Sequence, residues 1–218
     1  MSPANPEAAD RVGVAILAKA PIAGLAKTRL IPRLGAEGAA RLQNWLLQRT
    51  VATALVADVG PVSLWCAPDM QHPEFRLCRA FGTVSLHRQP EGDLGVRMLA
   101  ALEDRTQPTL VIGTDCPALS PERLRRAAEC LRGGDDAVVL PAEDGGYVLI
   151  GLREAAAVPF MGIEWGGRHV MQQTRRRLGE MGWRWSEPAT LWDVDHPHDF
   201  DRLAESFPDV QAWLREAT

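Results

Sequence analysis

Short apolar runs alternate with amphipathic stretches through the first 150 residues of the chain. Residues 36–57, 93–105 and 120–132 carry apolar side chains at three- and four-residue steps, which predicts helices. The short apolar runs, which predict strands, are residues 12–18, 61–67, 83–87, 108–113, 136–141 and 146–151. This alternation indicates a single α/β domain with a mixed, mostly parallel sheet and helices on both of its faces.

The alternation loosens after about residue 155. Residues 168–181 still predict a helix, but the stretch 183–200 is harder to assign. A further helix could begin near Asp199, over residues 198–206. Because no repeat or long linker divides the chain, we expect one domain over residues 12–218, preceded by a flexible segment at residues 1–11.

Composition narrows the classes of partner. The 24 basic and 28 acidic residues give a net charge of −4, which argues against nucleic acid and anionic membranes as partners. No run approaches the roughly 20 apolar residues of a membrane span, and the first residues lack the features of a signal peptide, so we expect a cytoplasmic protein. The four cysteines form no CxxC pair, which argues against a zinc knuckle or a redox dithiol.

A basic loop follows the first predicted strand, although the chain as a whole is acidic. Residues 11–36 contain no carboxylate, and Gly24 is the one glycine of the loop 19–29. The cations after the strand begins are Lys19, Lys27, Arg29 and Arg33. The glycine spacing matches neither a Rossmann turn nor a P-loop. A strand that leads into a cationic loop nevertheless favours binding of a phosphorylated small molecule over a merely solvated loop.

Carboxylates in two later segments are candidates for a metal site. Asp115 follows the predicted strand 108–113, and Ser120 is the better cap for the next helix, which leaves Asp115 for other contacts. If residues 193–195 are extended, Asp193 and Asp195 point the same way, and either could complete a Mg²⁺ or Mn²⁺ site with Asp115. His196 and His198 fit a hard cation less well, and Asp199 suits a helix start.

Two glycine-containing turns leave a structural and a binding interpretation open. Gly145 and Gly146 follow Asp144 and suit either an ordinary hairpin or close approach to a ligand. Asp93 and Gly95 stand at the start of a predicted helix, where Asp93 suits a cap and the glycine would let a nucleoside lie against the backbone.

The segments AKAPIAGLAKTRL, QPEGDLGVRM, VIGTDCPAL, PAEDGGYVLIGL and DVDHPHDF occur in this order over about residues 12–205. In this order and spacing they resemble the DUF2064 family of transferases of glycosyltransferase-A (nucleotide-diphospho-sugar transferase) type. More distantly, the pattern is similar to phospholactate guanylyltransferase and the molybdenum-cofactor nucleotidyltransferases. The resemblance implies a fold of the glycosyltransferase-A type and a divalent metal, Mg²⁺ or Mn²⁺.

The resemblance also implies roles for particular residues. Lys27 and Arg29 would meet phosphates, Asp115 and Asp195 would hold the metal, and Asp144 would face the acceptor or sugar. The candidate catalytic residues are therefore Lys27, Asp115 and Asp144. The candidate substrate-binding residues are Lys19, Gly24, Arg29, Asp93, Gly95, Gly145, Gly146 and Trp165, where Trp165-Gly166 stands in place of the family's usual Trp-Ser.

Three functions follow as hypotheses. The first is a metal-dependent transferase that binds a nucleoside-diphosphate sugar and passes the sugar to a small-molecule acceptor. The second is a nucleotidyltransferase, which the density of cations in the basic loop favours, and the third is a nucleotide-binding protein without catalysis. The tryptophans of the C-terminal part suit core packing, an acceptor pocket or a homodimer contact.

Overall fold

Seven strands form one sheet in the computed structural model, which describes residues 11–216. Of the expected flexible segment 1–11, all but Arg11 therefore lies outside the described residues. The strands are β1 (Gly13–Lys19), β2 (Val62–Ala67), β3 (Val84–Arg88), β4 (Thr109–Ile112), β5 (Ala137–Pro141), β6 (Tyr147–Leu152) and β7 (Trp185–Ser186). The six predicted strands are confirmed to within one or two residues. The two-residue strand β7 is too short to show a period, and the sequence did not predict it.

The strand order is β3-β2-β1-β4-β6-β5-β7. β1 pairs in parallel with β2 and β4, and β2 pairs in parallel with β3. β6 is antiparallel to both of its neighbours, whereas β7 is parallel to β5. The sheet is thus mixed and mostly parallel, as predicted. The carboxyl ends of β1 and β4 meet at one edge, where ligands bind in open α/β sheets.

Seven α-helices lie within the described residues. They are α1 (Ile31–Ala57), α2 (Pro73–Leu77), α3 (Leu94–Glu103), α4 (Pro121–Arg132), α5 (Val170–Glu180), α6 (Pro197–Ser206) and α7 (Asp209–Glu216). The sequence did not predict α2 and α7, and α1 begins five residues before its predicted start, with non-helical backbone at Gly35. Ser120 caps α4 as expected, since its Oγ accepts a hydrogen bond from the N–H of Arg123. None of the described helices has the length and apolar character needed to cross a lipid bilayer.

The core consists of apolar layers on both faces of the sheet. Along β1, Val14 and Ile16 face one layer, which α1 and α4 cover, and Ala15 faces the other, which α3 and α5 cover. A third cluster joins the first half of α1 to the C-terminal helices, and Val194 lies within it with no exposed surface. Burial of Val194 fixes the acidic residues on either side of it at the sheet edge.

Candidate active site

A cavity of about 520 Å³ opens at the carboxyl ends of β1 and β4. The charged side chains that line it are Lys19, Lys27, Arg29, Arg97, Asp115, Asp193 and Asp195. Residues from three segments, 19–29, 88–95 and 114–119, contribute to the lining. Residues 68–72 and 142–146 do not line it. The basic loop and the two acidic segments therefore meet in one space.

Lys27 is an enclosed charge in this cavity. Its backbone is left-handed, with φ of 47° and ψ of 45°, an uncommon conformation for a residue with a side chain. The side chain is only 4% exposed, and its ammonium contacts Asp115 Oδ1 at 2.7 Å and donates to the carbonyl of Val194 at 2.6 Å. Lys27 thus ties the basic loop to both acidic segments.

Arg29 forms the second link between these segments. Its guanidinium pairs with the carboxylate of Asp195. The side chain of Arg29 is 60% exposed and that of Asp195 is 38% exposed. The N–H of Val194 donates to the carbonyl of Asp115 at 2.8 Å, which holds residues 193–195 beside the end of β4. Arg33 lies farther along and pairs with Asp201 on α6. It does not line the cavity.

Asp193 sits among like charges. Burial, and then the negative charges of Asp144 and Asp115, raise the pKa of Asp193 to about 6, and Lys27 opposes the increase. Asp144 does not line the cavity, and its Oδ1 accepts from the N–H of Gly146 at 2.8 Å. Burial and the neighbouring negative charges thus disfavour the ionised form of Asp193. A cation bound close to its carboxylate would stabilise that form.

Buried polar side chains position Asp115. Thr114 Oγ1 donates to Asp115 Oδ1 at 3.2 Å, and Gln43 Nε2 donates to Thr114 Oγ1 at 3.1 Å. Gln43 is 4% exposed on the apolar face of α1. Gln43 was not among the residues predicted from the sequence, although a glutamine among the buried leucines of an amphipathic helix is a usable signal. The adjacent Cys116 is buried, and burial raises the pKa of its thiol to about 12, which makes it a poor nucleophile.

Two further polar residues of the lining were not expected from the sequence. Gln89 is buried and donates to the carbonyls of Ala18 and Trp65, at 3.1 and 2.8 Å. Its Oε1 accepts from Arg97, at 3.5 Å, so the guanidinium of Arg97 is held toward the cavity. Of the predicted substrate-binding residues in the basic loop, Lys19 lines the cavity at the end of β1. Gly24 does not line it, and its backbone has φ of 80°.

Asp93 and Gly95 lie at the start of α3. Asp93 caps the helix, because its Oδ1 accepts from the N–H of Val96 at 2.9 Å. A Cβ on Gly95 would stand 2.9 Å from the ring of Trp165, so this glycine allows the indole to pack on the helix. Trp165 does not line the cavity and instead meets Tyr147, which does, edge-on at 6.4 Å. Its indole N–H is buried and has no hydrogen-bond partner among residues 11–216.

Gly145 and Gly146 form the turn between β5 and β6. Gly145 has φ of 95°, and a Cβ there would lie 2.1 Å from the carbonyl oxygen of Arg168. Its own carbonyl accepts from the N–H of Met171 at the start of α5. The close approach at Gly145 is therefore made by another part of this chain.

The donor set suits a hard divalent cation that also binds phosphate. In the described part of the chain, no three or more His, Cys, Asp or Glu side chains form a group that could hold a metal by itself. Asp115 and Asp195 both line the cavity, and Mg²⁺ is commonly held by one or two carboxylates together with substrate phosphates. Asp199 is occupied as a cap, since its Oδ2 accepts from the N–H groups of Asp195 and His196. The His196 and His198 rings stack on each other.

Comparison with known proteins gives one family. The model of the family described as "Uncharacterized protein conserved in bacteria (DUF2064)" matches residues 50–167, more than half of the chain. No curated protein matches the chain in sequence.

Several solved structures share the fold. A "putative nucleotide-diphospho-sugar transferase from Desulfovibrio desulfuricans G20" is 26% identical, with a TM-score of 0.82 and 94% of each chain covered. A nucleotidyl transferase from Methanothermobacter is 18% identical, with a TM-score of 0.61 over 91% of this chain and 98% of the other. A complex of Rv0371c from Mycobacterium tuberculosis with manganese is 18% identical, with a TM-score of 0.51 over 89% and 99%.

Proposed function

This chain belongs to the DUF2064 family, and we propose that it is a metal-dependent transferase whose donor substrate is a nucleoside-diphosphate sugar. The sugar would pass to a small-molecule acceptor. The observation that carries the proposal is the meeting of Lys27 and Arg29 with Asp115 and Asp195 in one cavity. The similarity to a nucleotide-diphospho-sugar transferase along nearly the whole chain supports the same class of reaction.

The metal would be held by Asp115 and by Asp195, with Asp193 as the alternative second ligand. A divalent cation held there would supply Lewis-acid chemistry to the diphosphate and would offset its negative charge. The manganese complex of a protein with this fold supports the choice of Mg²⁺ or Mn²⁺.

The chain's own residues would bind and orient the donor around that position. Arg29 is exposed enough to turn its guanidinium from Asp195 to a phosphate. Lys27 is enclosed and contributes a fixed positive charge beside Asp115. Gln43 and Thr114 hold the Asp115 carboxylate in place. Asp144, whose negative charge acts on Asp193, is the candidate to face the acceptor or sugar.

A second function, nucleotidyl transfer, is favoured by one observation. Four cations line the cavity, namely Lys19, Lys27, Arg29 and Arg97. A nucleoside triphosphate carries more negative charge than the bridging diphosphate of a nucleotide sugar and would use more of them. A nucleotidyl transferase also shares the fold.

Thermal shift with Mn²⁺ and a panel of nucleotide sugars and nucleoside triphosphates tests both functions. A ligand present at 100 times its dissociation constant adds about 2.7 kcal/mol to the free energy of unfolding. Stabilisation by a nucleotide sugar, followed by release of nucleoside diphosphate in the presence of an acceptor, supports sugar transfer. Stabilisation by triphosphates alone, with release of pyrophosphate, supports the second function. No stabilisation by either class contradicts both.

The Asp115→Asn variant tests the site itself. Loss of one group that stabilises transition-state charge costs about 2.7–4 kcal/mol, or roughly 100- to 1000-fold in kcat. The matched control is Asp201→Asn, because Asp201 is an exposed carboxylate that pairs with Arg33 outside the cavity. Equal turnover by Asp115→Asn and the wild type would exclude Asp115 from the site.

A further inference from the structure

A second cavity, of about 380 Å³, lies between α1 and the first turns of α4 and α7. Residues 45–56 of α1 form one wall, and Phe81, from the segment between α2 and β3, forms another. Among residues 11–216, no lining residue is shared with the candidate active site. The volume falls within the range of small-molecule sites, which is about 300–1,000 Å³.

Arg49 brings a positive charge to this second cavity. Its guanidinium lies over the Phe207 ring, at 4.2 Å, and over the Trp45 ring, at 5.5 Å. Its Nε donates to the carbonyl of Pro117 at 3.3 Å. The two Nη groups have no hydrogen-bond acceptor among residues 11–216. Since Arg49 lines the cavity, these donors are available to a ligand.

The surroundings of Arg49 leave its charge without a partner. The side chain is partly buried, and this burial lowers the pKa of Arg49, although the negative charge of Asp209 opposes the decrease. Asp209 lines the same cavity, but the described residues show no ion pair between the two side chains. A charge withdrawn from water without an acceptor carries a desolvation cost, which an anionic ligand would offset.

The other lining residues narrow the class of ligand. The planar guanidinium of Arg49 matches a carboxylate or a phosphate, but Asp209 repels an anion of higher charge. A group with a single negative charge fits this balance best. Much of the remaining wall is apolar, with Val56 61% exposed, Phe81 48% exposed and Trp213 partly buried. Flat aromatic walls favour a flat apolar body beside the anionic group.

We propose that the second cavity binds a small carboxylic acid with an aromatic body, whose carboxylate accepts from the Nη groups of Arg49 while its ring packs against Phe81 and Trp213. The inference does not depend on the proposed function. Simple aromatic acids and aromatic amino acids share this chemistry. Asp209 distinguishes them, because it repels the charge of a simple acid and attracts the ammonium group of an amino acid.

NMR titration of the isotope-labelled full chain with three probes tests the proposal. Phenylacetate and L-phenylalanine both carry the carboxylate, whereas phenethylamine has the same ring without it. The indole N–H signals of Trp45 and Trp213, which line the cavity, are assigned with Trp45→Phe and Trp213→Phe. We expect at least one acid to shift both signals. Phenethylamine should bind at least about tenfold more weakly, because it makes no charged hydrogen bonds to Arg49.

Two substitutions change the affinity for phenylacetate in opposite directions. Arg49→Gln should weaken binding at least about tenfold, through loss of the same hydrogen bonds. Asp209→Asn removes a repelling charge at an exposed position and should tighten binding about two- to fivefold. Arg126→Gln is the matched control, because Arg126 is an exposed arginine that pairs with Glu129 on α4. Arg97→Gln reports on binding in the first cavity, which Arg97 lines.

The affinities decide the outcome. Binding of an acid that is weakened by Arg49→Gln and unchanged by Arg126→Gln and Arg97→Gln supports the inference. Binding of neither acid, equal affinity for phenethylamine, or a loss of binding in Arg97→Gln alone overturns it and leaves the proposed function standing. If Arg49→Gln does not fold, Asp209→Asn decides, since tighter phenylacetate binding supports the inference and unchanged binding overturns it.

Discussion

Replacing Asp193 with asparagine should stabilise the metal-free protein. The side chain is half-buried, and burial together with the charges of Asp144 and Asp115 raises its pKa from 3.8 to about 6. The folded state therefore holds the proton more tightly than the unfolded state does. This favours folding at low pH, and the advantage is lost as the pH rises through the folded pKa.

The magnitude follows from the size of that shift. One pKa unit corresponds to about 1.4 kcal/mol, so ionised Asp193 costs up to about 3 kcal/mol at pH values well above 6. Near pH 4, where Asp193 is mostly protonated in the folded protein, the cost falls below about 1 kcal/mol. Asparagine keeps the shape of the side chain without its charge. The gain should therefore be large near pH 8 and small near pH 4.

Urea unfolding in the presence of EDTA, at about pH 8 and about pH 4, measures this difference between Asp193→Asn and the wild type. Other titrating groups contribute to both proteins and cancel in the comparison. Asp201→Asn serves as the control, because this exposed carboxylate is paired with Arg33 and should give no gain at either pH. An Asp193→Asn protein that is no more stable than the wild type at pH 8, or whose gain is the same at both pH values, would refute the reasoning.

Three other substitutions test the architecture around the site. Gly145→Ala should lower the free energy of unfolding by more than about 2 kcal/mol in urea titrations, because its Cβ would meet the Arg168 carbonyl at 2.1 Å; equal stability would contradict the close approach. Asp93→Ala should cost about 1 kcal/mol through loss of the α3 cap, and a nucleotide affinity that falls much further would show that Asp93 also binds ligand. Gln43→Leu should lower Mn²⁺ affinity in the presence of nucleotide, because the buried amide orients Thr114 and through it Asp115, whereas Gln48→Leu on the same helix should not.

The sheet was largely predictable because most of its strands are buried on both faces. The strands GVAILAK and AVVLP are apolar up to their last residues, Lys19 and Pro141, so their limits are visible in the sequence. The elements that the sequence did not predict are the ones held by tertiary contacts. β7 has two residues, and the five-residue helix α2 is shorter than any periodic pattern.

Several residues of the candidate site could be predicted from the sequence, but most of the contacts between them could not. Chain order and residue type were enough to expect the basic loop near Asp115, because parallel strands bring their carboxyl ends to one edge. They left Asp193 and Asp195 open as the second acid, and the family resemblance pointed to Asp195. That Lys27 is enclosed and already bound to Asp115 depends on a left-handed backbone and on the buried Val194, neither of which has a local signal. Gln89 and Arg97 belong to the lining through contacts that form only in the folded sheet.

The central claim is that the cavity at the ends of β1 and β4 binds a divalent metal together with the diphosphate of a nucleotide. The most direct test is a crystal grown with Mn²⁺ and the nucleotide that gives the largest thermal shift, with the metal located by its anomalous signal. The account predicts a manganese peak bonded to Asp115, to one carboxylate of residues 193–195 and to the diphosphate, with Arg29 turned toward a phosphate. Manganese bound away from these carboxylates, or a nucleotide outside this cavity, would contradict it.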